Sequence, residues 1–159
     1  MKETTVVRLE ERHLPSVAEL ERLCFSEPWS ERSLALLLAE GNLGLAVADG
    51  DRVLAYVGMT TVLDEGSVTN VATHPEARRR GYGRALIRAL LEIAREMGLT
   101  QIFLEVRESN LAARALYESA GFTVCGIRRG FYRHPTESAL QMVWMAQAEP
   151  SEDGEKERT

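Results

Sequence analysis

Three groups of residues in this chain have the types and spacing that do chemistry. The first is Arg78-Arg79-Arg80-Gly81-Tyr82-Gly83-Arg84, between an apolar run at 68–73 and an amphipathic run at 85–97. A helix starting there has unpaired N–H groups in its first turn and the positive end of its dipole. Gly81 and Gly83 let a ligand approach those groups with no Cβ in the way, and the arginines add charge and forked donors. That chemistry suits a di- or triphosphate. The spacing alone also suits a plain glycine turn with a solvated arginine run. It is not Gly-x-Gly-x-x-Gly, because Leu86 stands three residues after Gly83, and no Walker loop occurs.

The second is Glu105, near the end of the otherwise apolar Ile102-Phe103-Leu104-Glu105-Val106. Partial desolvation there makes a carboxylate a better base; the alternatives are pairing with an arginine or facing water. The third is Tyr117, in Ala115-Leu116-Tyr117-Glu118. A phenol can donate a proton, or simply pack half-buried on a sheet. Asn110 precedes the same segment and either caps it or reaches a ligand. His13, His74 and His134 show no metal-ligand spacing, so no metal is expected. Cys24 and Cys125 lie far apart without a C-x-x-C spacing, as reduced packing thiols of a cytosolic protein do.

The elements that must position these groups follow from periodicity. Residues 4–9 alternate as a strand, and 13–24 form a helix with Pro15 in its first turn and Leu14, Val17, Leu20 and Leu23/Cys24 on one side. Ser30 caps a second helix through Ala39. Residues 43–48 and 53–63 are strands joined by the hairpin signal Asp49-Gly50. Asp64-Glu65-Gly66 turns the chain into a central strand, 67–73, which Pro75 ends. The central helix carries Leu86, Leu90, Ile93, Ala94 and Met97 in one stripe and stops at Gly98. Residues 101–106 form a strand parallel to the central one, because a helix connects them. Asn110 caps a fourth helix to Ser119, Gly121 stops it, and 122–129 with 140–146 close the fold as an antiparallel pair. This order is α/β with a mixed sheet of about seven strands and about four helices.

The 159 residues suit one domain with one sizeable core. Of the net charge of −5, residues 149–159 carry −3, with five acids and two bases, and the body −2. A near-neutral body argues against a general nucleic-acid binder. No apolar run approaches a membrane span, and the N-terminus lacks a signal-peptide core, so the expected location is cytoplasmic. Residues 1–146 are read as the domain and 147–159 as a charged, disordered tail. Monomer and weak dimer both remain open.

Arg78-x-x-Gly81-x-Gly83 after a strand resembles the acyl-CoA signature of the GNAT N-acetyltransferases. The segments around Phe25-Ser26-Glu27-Pro28-Trp29-Ser30, Leu63-Asp64-Glu65, Asn70-Val71-Ala72, Leu104-Glu105-Val106-Arg107, Tyr117-Glu118-Ser119-Ala120-Gly121-Phe122 and Ile127-Arg128-Arg129 fall in the order of the bacterial ribosomal-protein alanine N-acetyltransferases, the RimI family. The resemblance covers residues 4–146. It implies a single GNAT domain with a mostly antiparallel sheet, whose central parallel pair splays apart to admit the pantetheine arm of acetyl-CoA. It implies that Val71, Ala72 and Thr73 bind that arm, that Arg78, Arg79, Arg80, Gly81, Tyr82, Gly83 and Arg84 bind pyrophosphate, and that Asn110 and Tyr117 also contact the cofactor. Glu105 is then the base and Tyr117 the acid for direct attack through a tetrahedral intermediate. No cysteine is placed in the site. Trp29, Asp64, Glu65, Asn70 and Tyr132 rim the acceptor groove, for the N-terminal alanine of the eighteenth small-subunit ribosomal protein.

Two features depart from the RimI pattern: Thr69 replaces a larger apolar residue, and 134–139 lacks its usual acidic wording. Both bear on the acceptor. Other readings are an acetyltransferase for lysine side chains or small amines, and a CoA-binding module without catalysis.

Overall fold

The computed structural model describes residues 5–133 and 135–146, so His134 and the 147–159 tail lie outside the described residues. The elements are β1 (Thr5–Arg8), α1 (Leu14–Cys24), α2 (Glu31–Leu34), β2 (Leu43–Asp49), β3 (Arg52–Val62), β4 (Glu65–Thr73), α3 (Tyr82–Glu96), β5 (Gln101–Arg107), α4 (Leu111–Ser119), β6 (Thr123–Tyr132) and β7 (Glu137–Met145). The seven strands form one sheet in the order β1-β2-β3-β4-β5-β7-β6. Only β4 and β5 are parallel; every other neighbouring pair is antiparallel.

Three boundaries differ from the sequence expectation. The second helix is α-helical only to Leu34, and 35–38 tighten into a 3-10 turn. With three residues per turn, Leu34 and Leu37 align and both bury, while Leu36 and Leu38 stay exposed. β4 begins at Glu65, two residues early, because Leu63 takes a left-handed φ of 55° and turns the chain by itself. The last hairpin runs further than its apolar residues do, to Tyr132 and Glu137.

Two cores sandwich the sheet. On one face α3 and α4 pack Leu86, Ile87 and Leu90 against Val57, Ile102 and Leu104. On the other, α1 and the α2 turn pack Val17, Leu20 and Leu37 against Ala46, Tyr56 and Ala72. Each fully buried leucine or isoleucine contributes roughly 1.5–3 kcal/mol relative to exposure. Among the described residues, the second core contains none from β5, β6 or β7.

Two irregularities shape the middle of the sheet. β4 pairs with β5 only at Glu65↔Gln101, Gly66↔Ile102 and Ser67↔Phe103; beyond Ser67 the strands part. Against β3, Met59 faces Val68 and Gly58 faces Asn70, which leaves Thr69 as an extra bulged residue. A one-residue bulge bends its strand and exchanges the faces of all that follows. Ser67 and Asn70 therefore point to the same side although three residues separate them.

Candidate active site

The arginine loop is shaped by backbone. Pro75–Ala77 forms a short 3-10 turn, with the His74 imidazole accepting from Glu76 N–H. Arg79 and Gly81 both take left-handed φ, 67° and 80°. For a non-glycine residue that conformation costs roughly 1–2 kcal/mol. Ala85 N–H bonds back to Gly81 C=O at 3.1 Å, so the Gly83 and Arg84 N–H groups lie ahead of the helix ladder. A Cβ on Gly81 would meet nothing within 4 Å, so the loop is open there. A Cβ on Gly83 would touch Leu116 at 3.3 Å. Gly83 thus serves the approach of α4 to α3, a packing reason that ligand access alone does not give.

Of the acid–base candidates, Glu105 lies on β5 past its last pairing with β4. Glu105 belongs to the half-buried series of β5, opposite Leu104 and Val106. Its Oε1 lies 3.5 Å from Arg128 Nε, so the arginine-pairing alternative is realised in part. Its Oε2 is enclosed and has no hydrogen-bond partner. Tyr117 is 6% exposed, in the core between α3 and the sheet, its ring edge-on to Phe122 at 5.9 Å. Burial pushes its phenol above the ordinary range, and nearby Tyr132 adds to the effect. The two candidates thus stand on opposite faces of the sheet. Asn110 takes its capping role, its Oδ1 accepting from Ala113 N–H at 3.1 Å.

The acceptor-side residues are brought together unequally. Tyr132 lies under the Arg107 guanidinium at 4.4 Å, and burial first, then the Glu105 charge, raises its phenol. Trp29 N–H donates to Glu21 Oε1 at 2.8 Å, and Asn70 Nδ2 donates to Glu21 Oε2 at 3.2 Å. Asp64 and Glu65 sit at the closed end of the parallel pair, where Asp64 Oδ2 accepts from Thr100 Oγ1 at 3.0 Å. Five strand residues, about 16 Å, separate Glu65 from Asn70. Cys24 is nearer than expected: its Sγ lies 3.5 Å from Thr73 C=O, beside β4. Burial pushes its thiol up against the pull of Arg78, which makes it a poorer nucleophile.

Sequence reasoning passes over three residues that hold this region, Glu21, Arg107 and Glu137. Glu21 is 1% exposed and takes a third bond, from Tyr56 O–H at 2.6 Å. A signal was present: 14, 17, 21 and 24 is helical spacing, so Glu21 interrupts the apolar stripe of α1. Arg107 and Glu137 tie the last hairpin down. Arg107 donates to Pro135 C=O at 3.0 Å, Arg133 C=O at 3.2 Å and Glu137 Oε1 at 3.4 Å, and Glu137 Oε2 accepts from Ser109 N–H. The Ser109 bond, then Arg107, holds the Glu137 carboxyl below its ordinary 4.5. A depressed folded value means that this support is complete above pH 4.5 and is lost as pH falls through the folded value. Amide exchange across 128–138 should therefore quicken below pH 4.5 before the core opens, and Glu137→Gln should show the faster exchange already at pH 7.

The acetyltransferase (GNAT) family model matches residues 14–122, and the chain belongs to that family. It is 38% identical over 128 residues to the [ribosomal protein bS18]-alanine N-acetyltransferase of Escherichia coli K12, covering 80% of this chain and 86% of that protein. The crystal structure of the ribosomal-protein-S18-alanine N-acetyltransferase from Escherichia coli aligns with a TM-score of 0.84 at 34% identity, covering 94% of this chain and 99% of that one. Within the GNAT acetyltransferases the chain groups with these bacterial ribosomal-protein alanine N-acetyltransferases. A putative acetyltransferase from Salmonella typhimurium, solved with its cofactor acetyl-CoA, shares the fold at 20% identity and a TM-score of 0.76, covering 93% of this chain and 96% of that one. Among the described residues no helix is long and apolar enough to cross a membrane, and no cluster of His, Cys, Asp or Glu could hold a metal ion.

Proposed function

We propose that this protein transfers acetyl from acetyl-CoA to the N-terminal α-amine of a cytoplasmic protein, the N-terminal alanine of ribosomal protein bS18. The observation that carries the reading is the enclosed, unpartnered Oε2 of Glu105 beside the opening. A buried carboxylate oxygen without a donor is costly unless a ligand supplies one.

The chain's own residues fit acetyl-CoA. The open, left-handed Gly81 and the Gly83 and Arg84 N–H groups suit its pyrophosphate, with Arg78, Arg79, Arg80, Arg84 and Tyr82 around them. Beyond Ser67, β4 has no strand on its β5 side, so Val71, Ala72 and Thr73 are left to the pantetheine amides. Val71 N–H polarises the thioester carbonyl. Asn110, at the cap of α4, lies beside the arm.

Acetyl-CoA supplies an activated acyl group as a thioester. The amine nitrogen bonds to its carbonyl carbon and the carbon–sulfur bond breaks, giving the acetylated peptide and free thiol. An α-amine has a pKa of about 7.7–8.0, so a single carboxylate suffices to take its proton. Glu105 accepts that proton through Oε2, directly or through one water. Tyr117, kept protonated by burial, gives a proton to the departing sulfur. Cys24 has no part, because its raised thiol is a weak nucleophile. Trp29, Asn70 and Tyr132 line the acceptor's first residue, and Asp64 and Glu65 meet cationic residues further along an extended peptide.

Mass spectrometry with acetyl-CoA and three peptides tests this. One begins Ala-Arg-Tyr, one has that N-terminus blocked but an internal lysine, and one begins with another residue. A mass gain on the Ala-Arg-Tyr α-amine is expected. Acetylation confined to lysine would overturn the acceptor assignment.

A further inference from the structure

Among the described residues, two buried acceptor atoms lack a hydrogen-bond partner, Glu105 Oε2 and Asn70 Oδ1, and they belong to the two strands that part, β5 and β4. Their placement follows from the register. Ser67 of β4 faces Phe103 of β5, and Glu105 lies two residues further on. Counted along the two strands from that pair, the extra residue Thr69 gives Asn70, rather than its neighbour, the position that corresponds to Glu105. Both side chains lie on the α1 side of the sheet, Asn70 against Glu21 and Glu105 opposite the buried Leu104 and Val106.

The orientation of the Asn70 amide is fixed by chemistry. Glu21 Oε2 accepts from Tyr56 O–H at 2.6 Å and from Asn70 Nδ2 at 3.2 Å, and its Oε1 accepts from Trp29 N–H at 2.8 Å. A carboxylate surrounded by three donors admits the amide only nitrogen-first. Turned round, the amide would set its oxygen against the carboxylate. The two ends of a planar amide point apart, so Oδ1 is directed away from Glu21. Asn70 is 7% exposed, which leaves that oxygen few solvent contacts.

We propose that Asn70 Oδ1 and Glu105 Oε2 together hold the attacking amine across the opening, and that Glu21, braced by Tyr56, is the positioning residue that keeps the Asn70 oxygen turned toward it. The inference rests on the acetyl-transfer reading above. A neutral amine has two N–H bonds and one lone pair. With one N–H on each acceptor, the lone pair faces the thioester carbon. Because Glu21 also holds Trp29, the same carboxylate sets the acceptor loop and the amine's second contact.

The test compares wild type, Asn70→Ala, Glu21→Gln and the double variant. It measures acceptor KM and kcat with the Ala-Arg-Tyr peptide, acetyl-CoA affinity by calorimetry, and thermal melting as a fold control. Each single variant is expected to lower acceptor kcat/KM by about ten- to a hundredfold, the scale of a hydrogen bond to a charged or reacting group. Acetyl-CoA affinity should stay within about twofold, since neither residue touches the arginine loop. A glutamine at 21 offers its own donor and lets Asn70 turn, so the double variant should be no worse than the poorer single one; coupled residues fail to add in this way. Unchanged acceptor kinetics in Asn70→Ala overturns the inference, as do losses that multiply in the double variant or an equal loss of acetyl-CoA affinity. If wild type acetylates only the lysine peptide, the acceptor named above fails and the variants are read on that amine. If it acetylates neither, both fail.

Discussion

Glu105→Gln lowers kcat for the Ala-Arg-Tyr peptide by about 10²- to 10⁴-fold, the range that a positioned base contributes. The substitution keeps the size and shape of the side chain and removes its charge and its ability to take a proton. Acetyl-CoA affinity should not change, because Glu105 lies on the face opposite Tyr117 and away from the arginine loop. Stability should change little. The Arg128 partner is 52% exposed, and an ion pair of that kind is worth about 0–1 kcal/mol. The deficit should shrink as pH rises through about 7.7–8.0, where the amine arrives already neutral. Steady-state assays from pH 6 to 9.5 measure it. Wild-type turnover at pH 7 in this variant would mean that the proton leaves by another route and that Oε2 is unpartnered for some other reason.

Tyr117→Phe lowers kcat by about 10²-fold with acceptor KM nearly unchanged, because the phenol acts on the departing thiol and not on the peptide. The ring packs on Phe122, and the hydroxyl makes no hydrogen bond recorded among the described residues. The variant should therefore melt close to wild type. The wild-type pH profile carries its own check. A phenol raised above its ordinary value stays protonated through neutral and mildly alkaline pH, so it imposes no descending limb below about pH 10. A limb near pH 8 that vanishes in Tyr117→Phe would contradict this account of the burial.

Local signals carried much of this architecture. The amphipathic stripe of α3, the caps at Ser30 and Asn110 and the apolar run of β5 depend on neighbours in sequence and reappear in the fold, except that Met97 falls past the end of α3 and is exposed. Glu105 and Tyr117 stood out by residue type, while their assignment as base and acid came from family resemblance. What sequence missed depends on distant pairing. The Thr69 bulge exists only against β3, and the Arg107–Glu137 tie joins residues 30 apart. Glu21 was hidden by its own chemistry, since a charge within an apolar stripe is easily taken for a solvent-facing turn of the helix. Gly83 was legible as important, but for ligand access rather than for Leu116.

The parting of β4 from β5 has a consequence for the folded state as a whole. Most sheets have two edges, here β1 and β6; this one also has internal edges, along β4 beyond Ser67 and along β5 beyond Phe103. Edge strands invite pairing with whatever extended chain arrives. An extended arm that pairs there completes the sheet instead of extending it. Under the acetyl-transfer proposal, acetyl-CoA bound there would act as a missing piece of secondary structure, and its concentration would become a stability variable through mass action. At a hundredfold excess over its dissociation constant the gain is about 2.7 kcal/mol, comparable to one buried leucine.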